Sequence, residues 1–351
     1  MAGRSLKSFG SANKDWSPGS PSTRYNASGK SREYYTFENA PGIGAYATGG
    51  AIVDGGDGYI YHIFTGPATF QVNRPPAAID SVDYLIAAGG GGSGGGASGG
   101  GAGGMLFGNV GVSNGPGAYP VSVGGGGAAT PFSPPYAVGN GSPSSIFGIT
   151  AYGGGYGGSP SGPSIGGPGG SGGGGYTGPP GGSASGGTGN IPNTVPRQGY
   201  PGGVSGPTFT GGGGGGAGGP GLSPANPQTN GPGKNIPQFP VPIVANGIPA
   251  SARTAYVTLV GPKGFSCGGG NAGISTANSG AGAPAPSGSG SSGIVCVRYK
   301  KTAAYSRATG GTIEPNTHPE HPGVWRHIFT SPGTFTVTDP SLQWIDYLAV
   351  G

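Results

Sequence analysis

The sequence predicts a chain with almost no α-helix, built of packed polyglycine-II helices framed by short antiparallel β-strands. Three observations lead there. Glycine and proline number 87 and 37 of 351 residues, and in a helix interior they cost about 1 and about 3 kcal/mol each. From Gly89 to Gly233 the only charged side chain is Arg197. Short β-branched and aromatic runs bound and interrupt this glycine field.

Residues 1–50 read as an extended arm. It is polar and basic, with Arg4, Lys7 and Arg24 among its cations and Phe9, Trp16, Tyr25, Tyr34 and Tyr35 among its rings. Aromatic residues spaced along a polar chain suit a strap that lays rings into pockets of a partner. A solvated tail is the alternative.

Residues 51–301 form the glycine-rich module. Tyr59–Thr65, Ala68–Val72 and Ser81–Ala87 read as strands, with Asp83 on an outward face. Inside the field, Tyr119–Val123, Ser145–Thr150 and Ala255–Val260 read as further strands, and Gly293–Tyr299 as a closing strand that returns to the opening ones. Arg298, Lys300, Lys301 and Arg307 read as a solvated basic cluster.

The field itself has two readings. Proline and glycine above about 25–30% without a period signal low complexity. Ordering glycine is costly in backbone entropy. Yet this field is bounded by strands, contains strands and lacks the charge that keeps most disordered chains solvated. Polyglycine-II helices have three residues per turn, a rise of about 3.1 Å and no side chains to keep them apart. Packed together, they pair the backbone groups that burial obliges to pair. Collagen is excluded, because Gly172–Gly175 and Gly211–Gly216 break a strict three-residue frame.

His327–Val337 repeats His62–Val72, and Ile345–Gly351 repeats Val82–Ala88. Residues 302–323 therefore read as a linker and 324–351 as the start of a second module. The natural chain is expected to continue past Gly351.

Catalytic chemistry finds little support. No Asp or Glu lies between Tyr84 and Ile313, so general acid–base work has no carboxylate there. We expect a non-enzymatic protein without a cofactor. His62 and His327 read as structural strand residues. His318 and His321 read as a solvated loop, with a metal site as the alternative. Cys267 and Cys296 read as buried or free thiols, a single disulfide being the alternative. The P-loop pattern before Lys30 fails at Arg24. No RGG occurs, and no nucleic acid is expected. The apolar runs fall short of the ~18 residues of a membrane span, and the N-terminus lacks a signal-peptide core.

The order of the framing runs resembles a glycine-rich module of structural and tail-fibre proteins of tailed bacteriophages, particularly phages of marine cyanobacteria. The runs that carry the resemblance are His62–Val72, Val82–Gly89, Gly101–Leu106, Val121–Gly125, Ser145–Gly148 and Gly293–Tyr299. In its style of packed polyglycine helices the chain is also similar to the adhesins at the tips of some long tail fibres. The resemblance implies a virion protein, assembled in the host cytoplasm into a homo-oligomer. Residues 1–50 would dock on another virion component. The loops Thr130–Pro143 and Asn190–Val204 would meet a host-surface glycan or protein through Phe132, Tyr136, Asn140, Arg197 and Tyr200. A capsid decoration or head-fibre protein is the alternative. Tyr136, Tyr152, Tyr156, Tyr176 and Tyr200 would either cover the glycine helices or touch the receptor.

Overall fold

In a computed structural model the described residues are 22–25, 31–34, most of 47–300, 308–315, 325–337 and 345. Within 47–300 the exceptions are 73–78, 80, 96–97, 113–116, 130–138, 161–162, 179–180, 208–209, 224–229, 267, 270–275 and 287. The chain divides into two compact units, Ala45–Tyr305 and the pair of segments Met1–Gly44 and Ser306–Gly351.

In chain order the strands are β1 (Ser22–Tyr25), β2 (Ser31–Tyr34), β3 (Ala47–Thr48), β4 (Ala51–Asp54), β5 (Tyr59–Phe64), β6 (Ala68–Val72), β7 (Ser81–Ala87), β8 (Met105–Gly111) and β9 (Gly117–Val121). They continue as β10 (Ser144–Ile146), β11 (Ile149–Ala151), β12 (Tyr176–Thr177) and β13 (Thr210–Gly211). Two helices, α1 (Val241–Asn246) and α2 (Ala250–Lys263), precede β14 (Ile294–Lys300). The remaining strands are β15 (Ala308–Thr309), β16 (Thr312–Pro315), β17 (Trp325–Ile328) and β18 (Thr336–Val337). The protein is thus strands and irregular backbone in small antiparallel sheets.

The main sheet has the order β4-β5-β14-β7-β8. The closing strand β14 lies between the opening strands, with Cys296 opposite Ile63 on one side and Leu85 on the other. Successive β14 side chains point to opposite faces, and both faces are covered. Val295, Val297 and Tyr299 join Phe64, Phe70, Ile86 and Ile146 in one core. Ile294 and Cys296 join Ile63, Leu85, Val244, Tyr256 and Val260 in the other. Each fully buried large apolar chain contributes about 1.5–3 kcal/mol, so these two small cores anchor the glycine field.

Four expectations are corrected. Ala255–Val260 lies in α2, not a strand. Tyr256 and Val260, one helical turn apart, are its buried residues, and this face packs on the sheet despite the β-branched composition, a case of tertiary contact overriding propensity. Pro249 precedes the helix, and Gly264 ends it at φ +76°. Ser145–Thr150 is a hairpin, because Phe147 and Gly148 turn at φ +57° and +74° between β10 and β11. Arg298 is buried and paired with Asp83, so it is not part of a solvated cluster, and Asp83 is partly covered. Residues 308–315, placed in a linker, carry β15 and β16.

The field from Ala88 onward makes few strand ladders but bonds its backbone thoroughly. The N–H groups of Ala88 and Gly91 donate to Gly104 and Gly101, those of Gly89 and Gly92 to Ser142 and Gly139, and those of Gly90 and Ser93 to Ser291 and Gly288. Every third residue returns to the same neighbour. The carbonyls of Gly89, Gly90, Gly91 and Gly92 accept from Gly154, Gly127, Ala283 and Gly157. Six segments therefore surround 88–94. Segment 99–104 behaves likewise: Gly100 and Gly103 donate to Ala283 and Gly280, and Gly101 and Gly104 to Gly155 and Tyr152. Neighbours approach so closely that a Cβ on Gly90 or Gly100 would fall within 3.0 Å of a backbone carbonyl.

Candidate functional site

Among the described residues the glycine lattice raises a loop with a buried, bonded base and an exposed tip, Asn190–Tyr200. Its base is two buried amides. Asn190 sits at φ +62°, a conformation asparagine tolerates better than most residues. Its Oδ1 accepts from Thr194 Oγ1 at 2.9 Å, Gln198 N at 3.0 Å and Thr194 N at 3.3 Å. Gln198 donates from Nε2 to Pro192 O and accepts from Tyr152 N, both at 2.8 Å. The ends are bonded into the lattice: Asn190 N donates to Gly170 O, Met105 N to Gln198 O and Tyr200 N to Gly216 O. Buried polar groups that are fully paired fix one conformation.

The tip points to solvent. Val195 is 95% exposed, and Ile191 and Arg197 are also exposed. The Arg197 guanidinium lies 5.1 Å from the centroid of the Tyr200 ring, a cation–π contact worth about 0.5–1 kcal/mol at an exposed site. Among the described residues Arg197 has no carboxylate partner. The arrangement offers a flat ring and a held cation, while the Thr194 hydroxyl is used within the loop, donating to Asn190 Oδ1 and Pro196 O. Such a surface suits a polar or anionic group.

Two of the anticipated contact residues, Arg197 and Tyr200, therefore come together. Asn140 does not join them; its Oδ1 accepts from Tyr156 N at 3.0 Å. Phe132 and Tyr136 lie outside the described residues, as do Arg4, Lys7, Phe9, Trp16 and Tyr35 of the arm. Arg24 and Tyr25 lie in β1, which pairs antiparallel with β2, the strand of Tyr34. Tyr176 is buried and covers the glycine lattice. Asn190 and Gln198 escaped the sequence reading. Their signal was faint: two amides eight residues apart, enclosing a Pro-rich tip.

Three other polar groups are structural. His62 is buried, and its Nδ1–H donates to Gly49 O at 2.7 Å; burial holds its pKa down at about 4 against the pull of that bond. Cys296 is a buried free thiol whose pKa burial pushes up, which makes it unreactive. Tyr61 donates to Asp57 Oδ2 at 2.6 Å and accepts from Arg298 at 3.3 Å; burial, then the Asp57 bond, push its pKa up to about 12. No cluster of three potential metal ligands occurs among the described residues, and no helix there is long and apolar enough to cross a membrane.

A family model described as a glycine-rich domain matches residues 65–300. No curated protein matches the chain.

Proposed function

This chain belongs to the glycine-rich domain family, and on that premise we propose that it is a non-enzymatic virion structural protein of a tailed phage, a fibre or tail-attached protein. Residues 1–50 dock it to the particle, and the glycine-rich module projects a contact surface toward the host. The three-residue recurrence of backbone partners along 88–94 and 99–104 supports polyglycine-II helices as the stiff body. The observation that carries the functional reading is the Asn190–Tyr200 loop. It combines a buried, bonded base with an exposed tip whose cation is held on an aromatic ring. A preorganised loop loses little entropy on binding.

The test is a particle carrying Val195→Asp or Arg197→Ala. We expect normal incorporation and at least tenfold slower attachment to host cells. Unchanged attachment overturns the receptor role. Truncation of residues 1–39 should abolish incorporation. Labelled protein found on the capsid lattice would replace the tail assignment by the decoration role.

A further inference from the structure

The three arginines described within Ala45–Tyr305 are used in two ways. Arg298 is engaged inside the module, donating from Nε to Asp83 Oδ2 at 2.9 Å and from Nη1 to Tyr61 Oη at 3.3 Å. Arg253 is engaged likewise, donating from Nε to Ile248 O at 2.9 Å and from Nη2 to Asn246 O at 2.7 Å. It thereby satisfies carbonyls at and just past the end of α1. Arg197 does neither. Among the described residues its guanidinium meets the Tyr200 ring and donates to no acceptor.

That guanidinium is nonetheless positioned. Thr194 Oγ1 donates to Pro196 O at 2.9 Å, which fixes the residue before it, and Gln198 N donates to Asn190 Oδ1 at 3.0 Å, which fixes the residue after. Tyr200 is clamped at both backbone groups, its N–H donating to Gly216 O and its carbonyl accepting from Gly172 N. A donor fork held in this way suits an oxyanion, which a guanidinium grips through two parallel bonds.

Charge and size narrow the occupant. Arg197 is the only charged side chain from Gly89 to Gly233, and the lattice residues bonded to the loop, Gly170, Tyr152, Met105 and Gly216, are uncharged. One cation balances one anionic group. A dense polyanion such as nucleic acid, which binds through many paired phosphates, finds no match. The exposed part of the loop is six residues, 191–193 and 195–197, well below the about 20–30 residues a side of a stable protein interface. The same loop carries two exposed apolar side chains, Ile191 at 44% and Val195 at 95%. A sugar ring offers C–H groups to such chains; a free inorganic anion does not.

We infer that the Asn190–Tyr200 loop takes a sparsely charged acidic polysaccharide, with one carboxylate or sulfate on the Arg197 guanidinium and a neighbouring sugar against Ile191 and Val195. This names the ligand class for the contact role proposed above and rests on that reading.

The test measures binding of the full chain to partly methyl-esterified pectin, to the fully esterified polymer, to lightly sulfated dextran and to neutral dextran. The acidic member of one pair should bind about tenfold more tightly than its neutral counterpart; the pectin pair reads a carboxylate and the dextran pair a sulfate. Added salt should remove most of that difference. Arg197→Gln should abolish it and leave thermal unfolding unchanged, whereas Arg197→Lys, which keeps the charge but loses the fork, should retain part of it. Equal binding of acidic and neutral members in both pairs overturns the inference. So does a preference that survives Arg197→Gln, tighter binding of DNA than of either acidic polymer, or no binding to any of the four. The particle assay separates this from the contact role. Slow attachment of the Arg197→Ala particle without charge-dependent binding leaves that role in place and removes only the acidic glycan; unchanged attachment overturns both.

Discussion

Arg298 donates from Nε to Asp83 Oδ2 at 2.9 Å across the β14–β7 ladder, where the two residues are direct partners. They come from opposite ends of the glycine field. The pair ties the closing strand to the opening sheet, and the Arg298 guanidinium also stacks 4.0 Å from the Tyr59 ring centroid. Removing the carboxylate leaves a mostly buried cation with only ring and hydroxyl partners. We expect Asp83→Ala to cost about 1–3 kcal/mol, read as a lower urea midpoint with an unchanged slope.

His62 gives the protein an acid-sensitive core. Its folded pKa of about 4 lies below the ordinary 6.5. The unfolded chain therefore takes up a proton as pH falls through 6.5, while the folded chain resists until about 4. The associated stability is fully present above 6.5 and is lost between those values, on the order of 3 kcal/mol. Urea unfolding at stepped pH should show this slope, and His62→Gln should flatten it.

Glycine substitutions should separate lattice from surface. Gly100→Ala puts a methyl against the Gly91 carbonyl, and overpacking of this kind costs about 1–3 kcal/mol or more. Gly125→Ala meets nothing within 4 Å and should be neutral. Gly261→Ala, in α2 with open space around it, should stabilise by about 0.5–1 kcal/mol. Thermal unfolding of the three variants checks the ranking.

The Asn190–Tyr200 loop should loosen without unfolding the module when its base is cut. Asn190→Gly keeps the left-handed backbone but removes the side-chain bonds to Thr194 and Gln198. We expect faster proteolysis within 191–197 and a loss of about 1–3 kcal/mol from the unpaired partners.

The strands were legible where β-branched and aromatic runs stood alone: β5, β6, β7 and β14 lie within a residue of the runs Tyr59–Thr65, Ala68–Val72, Ser81–Ala87 and Gly293–Tyr299. Strand β8 was not legible, because Gly108 and Gly111 dilute its alternation. Helix α2 was misread, since a β-branched run says nothing of the sheet beneath it. The start of the second repeat was also missed. Ala308-Thr309-Gly310-Gly311 matches Ala47-Thr48-Gly49-Gly50, but four small residues are inconspicuous in a glycine-rich chain. At the loop, Arg197 stood out by charge, whereas Asn190 and Gln198 act through burial, which sequence does not display.

The central claim is that backbone hydrogen bonds, aimed in three directions in turn, hold the glycine field together. Residue-resolved hydrogen exchange of the full chain tests it most directly at segments 88–94 and 99–104. Strong protection at consecutive amides, without the every-second-residue alternation of an edge strand, is the predicted result. Exchange of those glycine amides at random-coil rates would contradict it.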